Sequence, residues 1–149
     1  MADTRKQLAA EVWGSVLQVH AALVPEFDRR LREAVGLPLT WYDVLLELSA
    51  VEPHRLTMGQ LGERVVLSRS RVSRVVDDLG RAGLVERESH PEDARSSYAV
   101  LTDAGLARFR EAAPVYVSAI DERFCAMTVA ELKNVLTAMR SVVAGAPAR

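Results

Sequence analysis

Apolar residues return every three or four positions across about residues 5–35, at Ala9, Val12, Val16, Val19, Leu23, Phe27 and Leu31. That spacing follows the turn of an α-helix and predicts one long amphipathic helix. Pro25 lies inside it and should kink it, while Gly36 and Pro38 should end it. Trp41, Val44, Leu45 and Leu48 predict a second helix over about 40–51, with Thr40 as its cap. Glu52-Pro53-His54 breaks the pattern, and Arg55-Leu56-Thr57 reads as a short extended piece. Thr57 then caps a third helix, about 58–66, with Leu61 and Val65 inward. Ser68 caps a fourth, about 69–82, which Gly83 closes in the position that favours a left-handed residue. Residues 84–88 and 98–101 are strand-like and flank a polar, turn-rich segment, which predicts a β-hairpin with a long tip. Thr102 should cap a fifth helix over about 103–125, kinked near Pro114. Thr128 followed by Glu131 is a capping-box signature for a sixth, about 128–144, striped by Leu132, Val135, Leu136, Met139 and Val143.

These elements describe a mainly α chain with a small β-hairpin, read as a single domain over residues 1–149. Two capped helices separated by a three-residue break and followed by a hairpin have the order of a winged helix-turn-helix, here about 40–101. The phase of the fourth helix tests that reading. At ~100° per residue, Val72, Val75, Val76 and Leu79 share one face, while Ser70, Arg74, Asp77 and Arg81 share the opposite face. Arg71 and Ser73 flank the second group. The apolar face packs the helix onto its domain. The other offers hydroxyl and guanidinium groups to a groove wide enough for one helix, the major groove of DNA. Ser68 and Ser70 lie where free helix N–H groups favour a phosphate.

Charge sharpens this picture. The net charge is only -1, yet 17 of the 19 basic residues are Arg. Five of them (Arg64, Arg69, Arg71, Arg74, Arg81) fall in one short stretch with only Asp77 and Asp78 as acids. Arg suits bidentate contact with phosphate and guanine, so a near-neutral chain can still bind DNA through one face. In the hairpin tip, Arg95 is placed to enter an adjacent minor groove. Asp93 is expected to hold Arg95 or to stiffen the turn by accepting backbone N–H bonds.

The segments that carry a family resemblance are Leu39-Thr40-Trp41-Tyr42-Asp43-Val44-Leu45 and the run from Leu67 to Leu79. Gly83-Leu84-Val85-Glu86-Arg87, Asp93-Ala94-Arg95 and Leu101-Thr102-Asp103-Ala104-Gly105 complete them. Over almost its whole length the chain resembles the MarR family of bacterial transcription regulators. The wing Asp-x-Arg and the following Leu-Thr-x-x-Gly are specific together. The family often has a second Arg where this chain has Ala94, which leaves Arg95 with more of the minor-groove contact. The resemblance implies a DNA-binding repressor acting as a homodimer on a roughly palindromic operator. Residues expected at the DNA are Thr57, Ser68, Arg69, Ser70, Arg71, Ser73 and Arg74 of the helix-turn-helix, with Arg87, Asp93, Arg95 and Ser96 of the wing. The dimer would form through the helices at about 5–35 and 103–145. Their apolar stripes, including Val12, Val16, Leu132 and Val135, exceed what one winged domain needs and independently predict a partner.

Relatives of this kind are often released by small aromatic or phenolic anions. The resemblance therefore implies a pocket, for which Trp13, His20, Trp41 and Tyr42 are the candidates, with His20 facing the anionic group. Cys125 suggests an alternative, redox-responsive regulator, although Phe124, Ala126 and Met127 give it an apolar setting. A second alternative is a winged-helix module for protein contacts without DNA binding, which the Ser70–Arg74 surface disfavours. Enzymatic activity is not expected. His20, His54 and His90 are scattered without metal-ligand spacing, and no phosphate loop or serine elbow is present, so no metal or cofactor is anticipated. With no long apolar span and no secretion-type N-terminus, a cytoplasmic protein away from membranes is expected.

Overall fold

Along the described chain, residues 2–93 and 95–146 of the computed structural model, six helices alternate with three strands. They are α1 (Ala2–Val35), α2 (Leu39–Ser49), β1 (Arg55–Thr57), α3 (Met58–Arg64), α4 (Arg69–Arg81), β2 (Val85–Ser89), β3 (Ser97–Leu101), α5 (Asp103–Phe124) and α6 (Val129–Ala144). Ala94, the departure from the family's wing pattern, lies outside the described residues. The expected elements all form, with ends shifted by a few residues at most. α1 runs on through Pro25 as one helix. It ends at Gly36, whose φ of 65° is a conformation that side chains disfavour.

One predicted cap is replaced. α2 starts a residue before Thr40, and its N-terminal flank is Pro38, which has no side chain able to accept a bond. The capping acceptor comes instead from α1. Asp28 Oδ1 accepts the Leu39 N–H at 2.8 Å, while its other oxygen takes Arg32 Nε at 2.7 Å. Burial alone would raise the Asp28 pKa, but Arg32 and the Leu39 amide outweigh it and hold the carboxyl below its usual range. The caps at Thr57, Ser68, Thr102 and Thr128 form as expected, with full capping boxes at Thr57/Gln60 and Thr128/Glu131.

The sheet is antiparallel in the order β1-β3-β2. β2 and β3 pair from Val85↔Leu101 to Ser89↔Ser97, and β1 lies on the far side of β3 through Leu56↔Ala99. The core gathers Leu31 and Phe27 of α1, Val44, Leu45 and Leu48 of α2, Leu61 of α3, Val72, Val76 and Leu79 of α4, and Ala112 of α5. The valine–leucine face expected for α4 is thus the face that anchors it.

Where α4 gives way to the wing, the backbone closes tightly. Gly83 has φ 73°. Thr102 donates its hydroxyl to the Gly83 carbonyl at 2.8 Å and accepts the Gly105 N–H at 3.0 Å. A Cβ at Gly105 would collide with the carbonyl oxygen of Leu84. The Leu-Thr-x-x-Gly segment therefore seats the start of α5 directly on the backbone at the root of the wing. α6 contributes no buried residue, and with α1 it exposes Val12, Trp13, Leu17, Leu132, Val135 and Leu136.

Candidate nucleic-acid interface

The anchored face of α4 dictates what its other face can do. With Val72, Val75, Val76 and Leu79 buried, Arg69, Ser70, Arg71, Arg74, Asp77 and Arg81 are left in solvent. Their charges are not equivalent. Arg81 pairs with Asp78 one turn back. Arg64, before the turn, lies 3.6 Å from Glu47 of α2. Arg69, Arg71 and Arg74 have no carboxylate partner among the described residues, and all three lie in the first half of the helix. A cluster of unmatched guanidinium groups around a helix N-terminus favours polyanions, because the backbone N–H groups there add partial positive charge.

The serines divide between support and surface. Ser68 is the cap, its Oγ accepting the Arg71 N–H at 3.4 Å. Ser70 Oγ is 3.3 Å from Ser68 Oγ and stays exposed. Thr57 is engaged in its own capping box, accepting the Gln60 N–H at 3.1 Å.

Two expected DNA-contact residues are engaged in a clamp between α4 and the wing. Arg87 on β2 donates Nε to Asp77 Oδ1 at 3.0 Å and Nη1 to Ser97 Oγ at 3.3 Å. Its Nη2 reaches the Ser73 hydroxyl at 3.1 Å and the Ser73 carbonyl at 3.4 Å. Arg87 and Ser73 thus join α4 to both strands of the wing, and the five donors of a guanidinium suit that bridging. The sequence reading missed Asp77 as a partner; its place four residues after Ser73, on the same helix face, was the available signal.

At the wing tip, Asp93 does the second of its two expected jobs. Its Oδ1 accepts the Arg95 N–H at 2.9 Å, and its carbonyl accepts the Ser96 N–H at 3.0 Å. No Asp93–Arg95 ion pair forms among the described residues, so the exposed Arg95 guanidinium is unengaged. Toward the tip end of the hairpin, Tyr98 stacks on His90 at 5.0 Å, and Arg55 lies 4.8 Å from the Tyr98 ring.

The candidate effector residues do not come together. Trp13 is 61% exposed, far from the core. Tyr42 is a core residue at 3% exposure, packed against Phe109 and Tyr116. Trp41 is half-buried and packs on that core. Only His20 borders a cleft, of about 640 Å³, between α1, α2 and the α3–α4 turn. The aromatic residue within it is Tyr116 of α5. Burial, and next the neighbouring Glu47, push the Asp43 carboxyl in this cleft up to about 6. Burial, and then Asp43, also raise the Tyr116 phenol. Cys125 is exposed at the end of α5, its Sγ 3.1 Å from the Glu122 carbonyl.

A solvent-facing arginine helix tied to an antiparallel hairpin defines a winged helix-turn-helix protein. A profile of the MarR family matches residues 35–96. The uncharacterized HTH-type transcriptional regulator YkoM of Bacillus subtilis strain 168 is 31% identical over 117 residues, 78% of this chain and 75% of YkoM. The HTH-type transcriptional repressor YetL of the same strain is 32% identical over 85 residues, 57% of this chain and 51% of YetL. The crystal structure of Sco3205, a MarR family transcriptional regulator from Streptomyces coelicolor in complex with DNA, matches with a TM-score of 0.84. It is 34% identical, and the match covers 93% of this chain and 91% of that one. The chain belongs to the MarR family of transcriptional regulators. These relatives are regulators of transcription, not enzymes.

Proposed function

We propose that the protein is a repressor that binds a palindromic DNA operator as a homodimer and is released by a small aromatic ligand. The observation that carries this reading is the set of unmatched arginines, Arg69, Arg71 and Arg74, around the exposed start of α4. Arg74 is suited to a base edge in the major groove, Arg69 and Arg71 to phosphates, and Arg95 at the wing tip to the minor groove. The DNA-bound state of Sco3205 and the repressor YetL support it.

The dimer reading is supported by the apolar residues that α1 and α6 leave in water, since exposed apolar surface at that scale marks an interface. Two-fold symmetry would set the recognition helices about one DNA turn, ~34 Å, apart. Release is assigned to the cleft because its wall includes the α3–α4 turn and Arg71, so an occupant pushes on the start of the recognition helix.

Operator duplexes selected from a random pool provide the test. The selected sequence is expected to have two-fold symmetry, and affinity should fall steeply as salt rises, through counterion release. An asymmetric selected site, or an affinity indifferent to salt, would refute the reading.

A further inference from the structure

The cleft carries fixed charges that do not balance one another locally. Asp28 is bound to Arg32 at 2.7 Å, and Glu47 lies 3.6 Å from Arg64. Asp43, between them in the cleft wall, has no hydrogen bond or ion pair among the described residues. It is half-buried on α2, with Tyr116 of α5 also facing the cavity. The remaining unmatched charge at the cleft is Arg71, but Arg71 is exposed at the mouth on α4. A charge interaction is worth several-fold more in the partly desolvated interior than in water, so Asp43 outweighs Arg71 in selecting an occupant.

We propose that this cleft binds a small aromatic cation, an amine or amidine, whose charged group pairs with the Asp43 carboxylate beside the Tyr116 ring. The inference rests on the reading of the cleft as the effector site, and it replaces the phenolic anion with a ligand of opposite charge. An anion here would meet Asp43 as a like charge. A cation restores to Asp43 what partial burial removes. Val24, Pro25 and Leu46 supply apolar walls for a flat body, and the cleft is of ordinary ligand size.

The groups facing Asp43 determine how pH acts. They are His20, Asp28 and Arg32 from α1, Glu47 and Tyr42 from α2, Arg64 from α3, Arg71 from α4 and Tyr116 from α5. Raising the pH from about 5 to about 7.5 ionises Asp43, and that strengthens cation binding. Asp43→Asn removes this response.

Benzamidine, benzamide and benzoate share one shape and carry positive, zero and negative charge. Calorimetric titration of the intact protein with each at about pH 7.5 is expected to rank benzamidine first by about ten-fold or more. Asp43→Asn should bring the three within about two-fold, and wild-type binding of benzamidine should weaken as pH falls. Benzoate binding as well as benzamidine, an unchanged preference in Asp43→Asn, or no binding of any of the three would overturn the proposal. Release from the selected operator is measured in parallel. Benzamidine that binds through Asp43 yet leaves the operator bound sinks the release reading and keeps this one. Benzoate that frees the operator does the reverse.

Discussion

Arg87 of β2 holds Asp77 of α4 through two nitrogens on one carboxylate oxygen, Nε at 3.0 Å and Nη2 at 2.9 Å. The pair fixes the angle between the recognition helix and the wing, although both side chains remain partly in solvent. An exposed pair of this kind adds only about 0–1 kcal/mol to folding. Arg87→Ala is therefore expected to change the melting temperature little and to weaken operator binding far more. The exchange of the two residues, Asp77→Arg with Arg87→Asp, should recover part of the loss. Thermal melts and operator titrations of both variants check this; equal losses of stability and affinity in Arg87→Ala would contradict it.

Two of the unengaged arginines, Arg74 and Arg95, should differ in kind on the proposed operator. Arg74→Ala is expected to lower discrimination at one position of each half-site by ~1–3 kcal/mol. Arg95→Ala should weaken binding by a similar order, most on A/T-rich flanks. Binding to a set of singly substituted operators distinguishes these outcomes.

Gly105 admits no side chain. Its Cβ would meet the Leu84 carbonyl oxygen and stand 2.8 Å from Leu101 Cδ1, and the first of these is backbone that cannot swing aside. Gly105→Ala should destabilise by ~1–3 kcal/mol or more, as forced overpacking does. The melting temperature would fall by about 2–4 °C per kcal/mol in a chain of this size.

Asp43 predicts an inverted pH response. Its folded-state pKa, raised to about 6 from an ordinary 3.8, means the folded chain holds a proton that the unfolded chain has released. Its contribution to stability is therefore present below the ordinary value and lost as pH rises through the folded one. Asp43→Asn should raise stability at about pH 7.5 by on the order of 1 kcal/mol after allowance for solvent screening, and much less at about pH 4. Denaturant melts of both proteins at the two pH values test this. A destabilised Asp43→Asn at neutral pH would show that the carboxylate has a structural partner.

Leu136, 49% exposed on a helix with no buried residue, should matter only to assembly. Leu136→Glu is expected to shift sedimentation toward monomer and to weaken operator binding without unfolding the winged part.

What the chain's pattern revealed, and what it hid, divides by distance. Helix periodicity and local caps such as Thr57, Ser68, Thr102 and Thr128 depend on neighbours within one turn, and they were legible. The phase of α4 likewise assigned its buried valines and its exposed arginines. Contacts between segments were not legible. Thr40 looked like the cap of α2, but the acceptor is Asp28, eleven residues before Leu39 on another helix. Ser73 and Arg87 carry surface-type side chains, and only the placement of β2 against α4 brings them together. Trp41 and Tyr42 sit side by side on α2, yet the approach of α5 encloses Tyr42 in the core beside Phe109 and Tyr116. The cleft belongs to five helices at once, so no single stretch of sequence announced Asp43 as its unmatched group.

Thr102 and Gly105 place the first turn of α5 against the peptide backbone that launches the hairpin, with no side chain between them to cushion the joint. Farther along, the same helix lends Tyr116 to the cleft. If α5 tilts on this joint as a rigid rod, a displacement begun at Tyr116 would be carried to the hairpin tip and to Arg95.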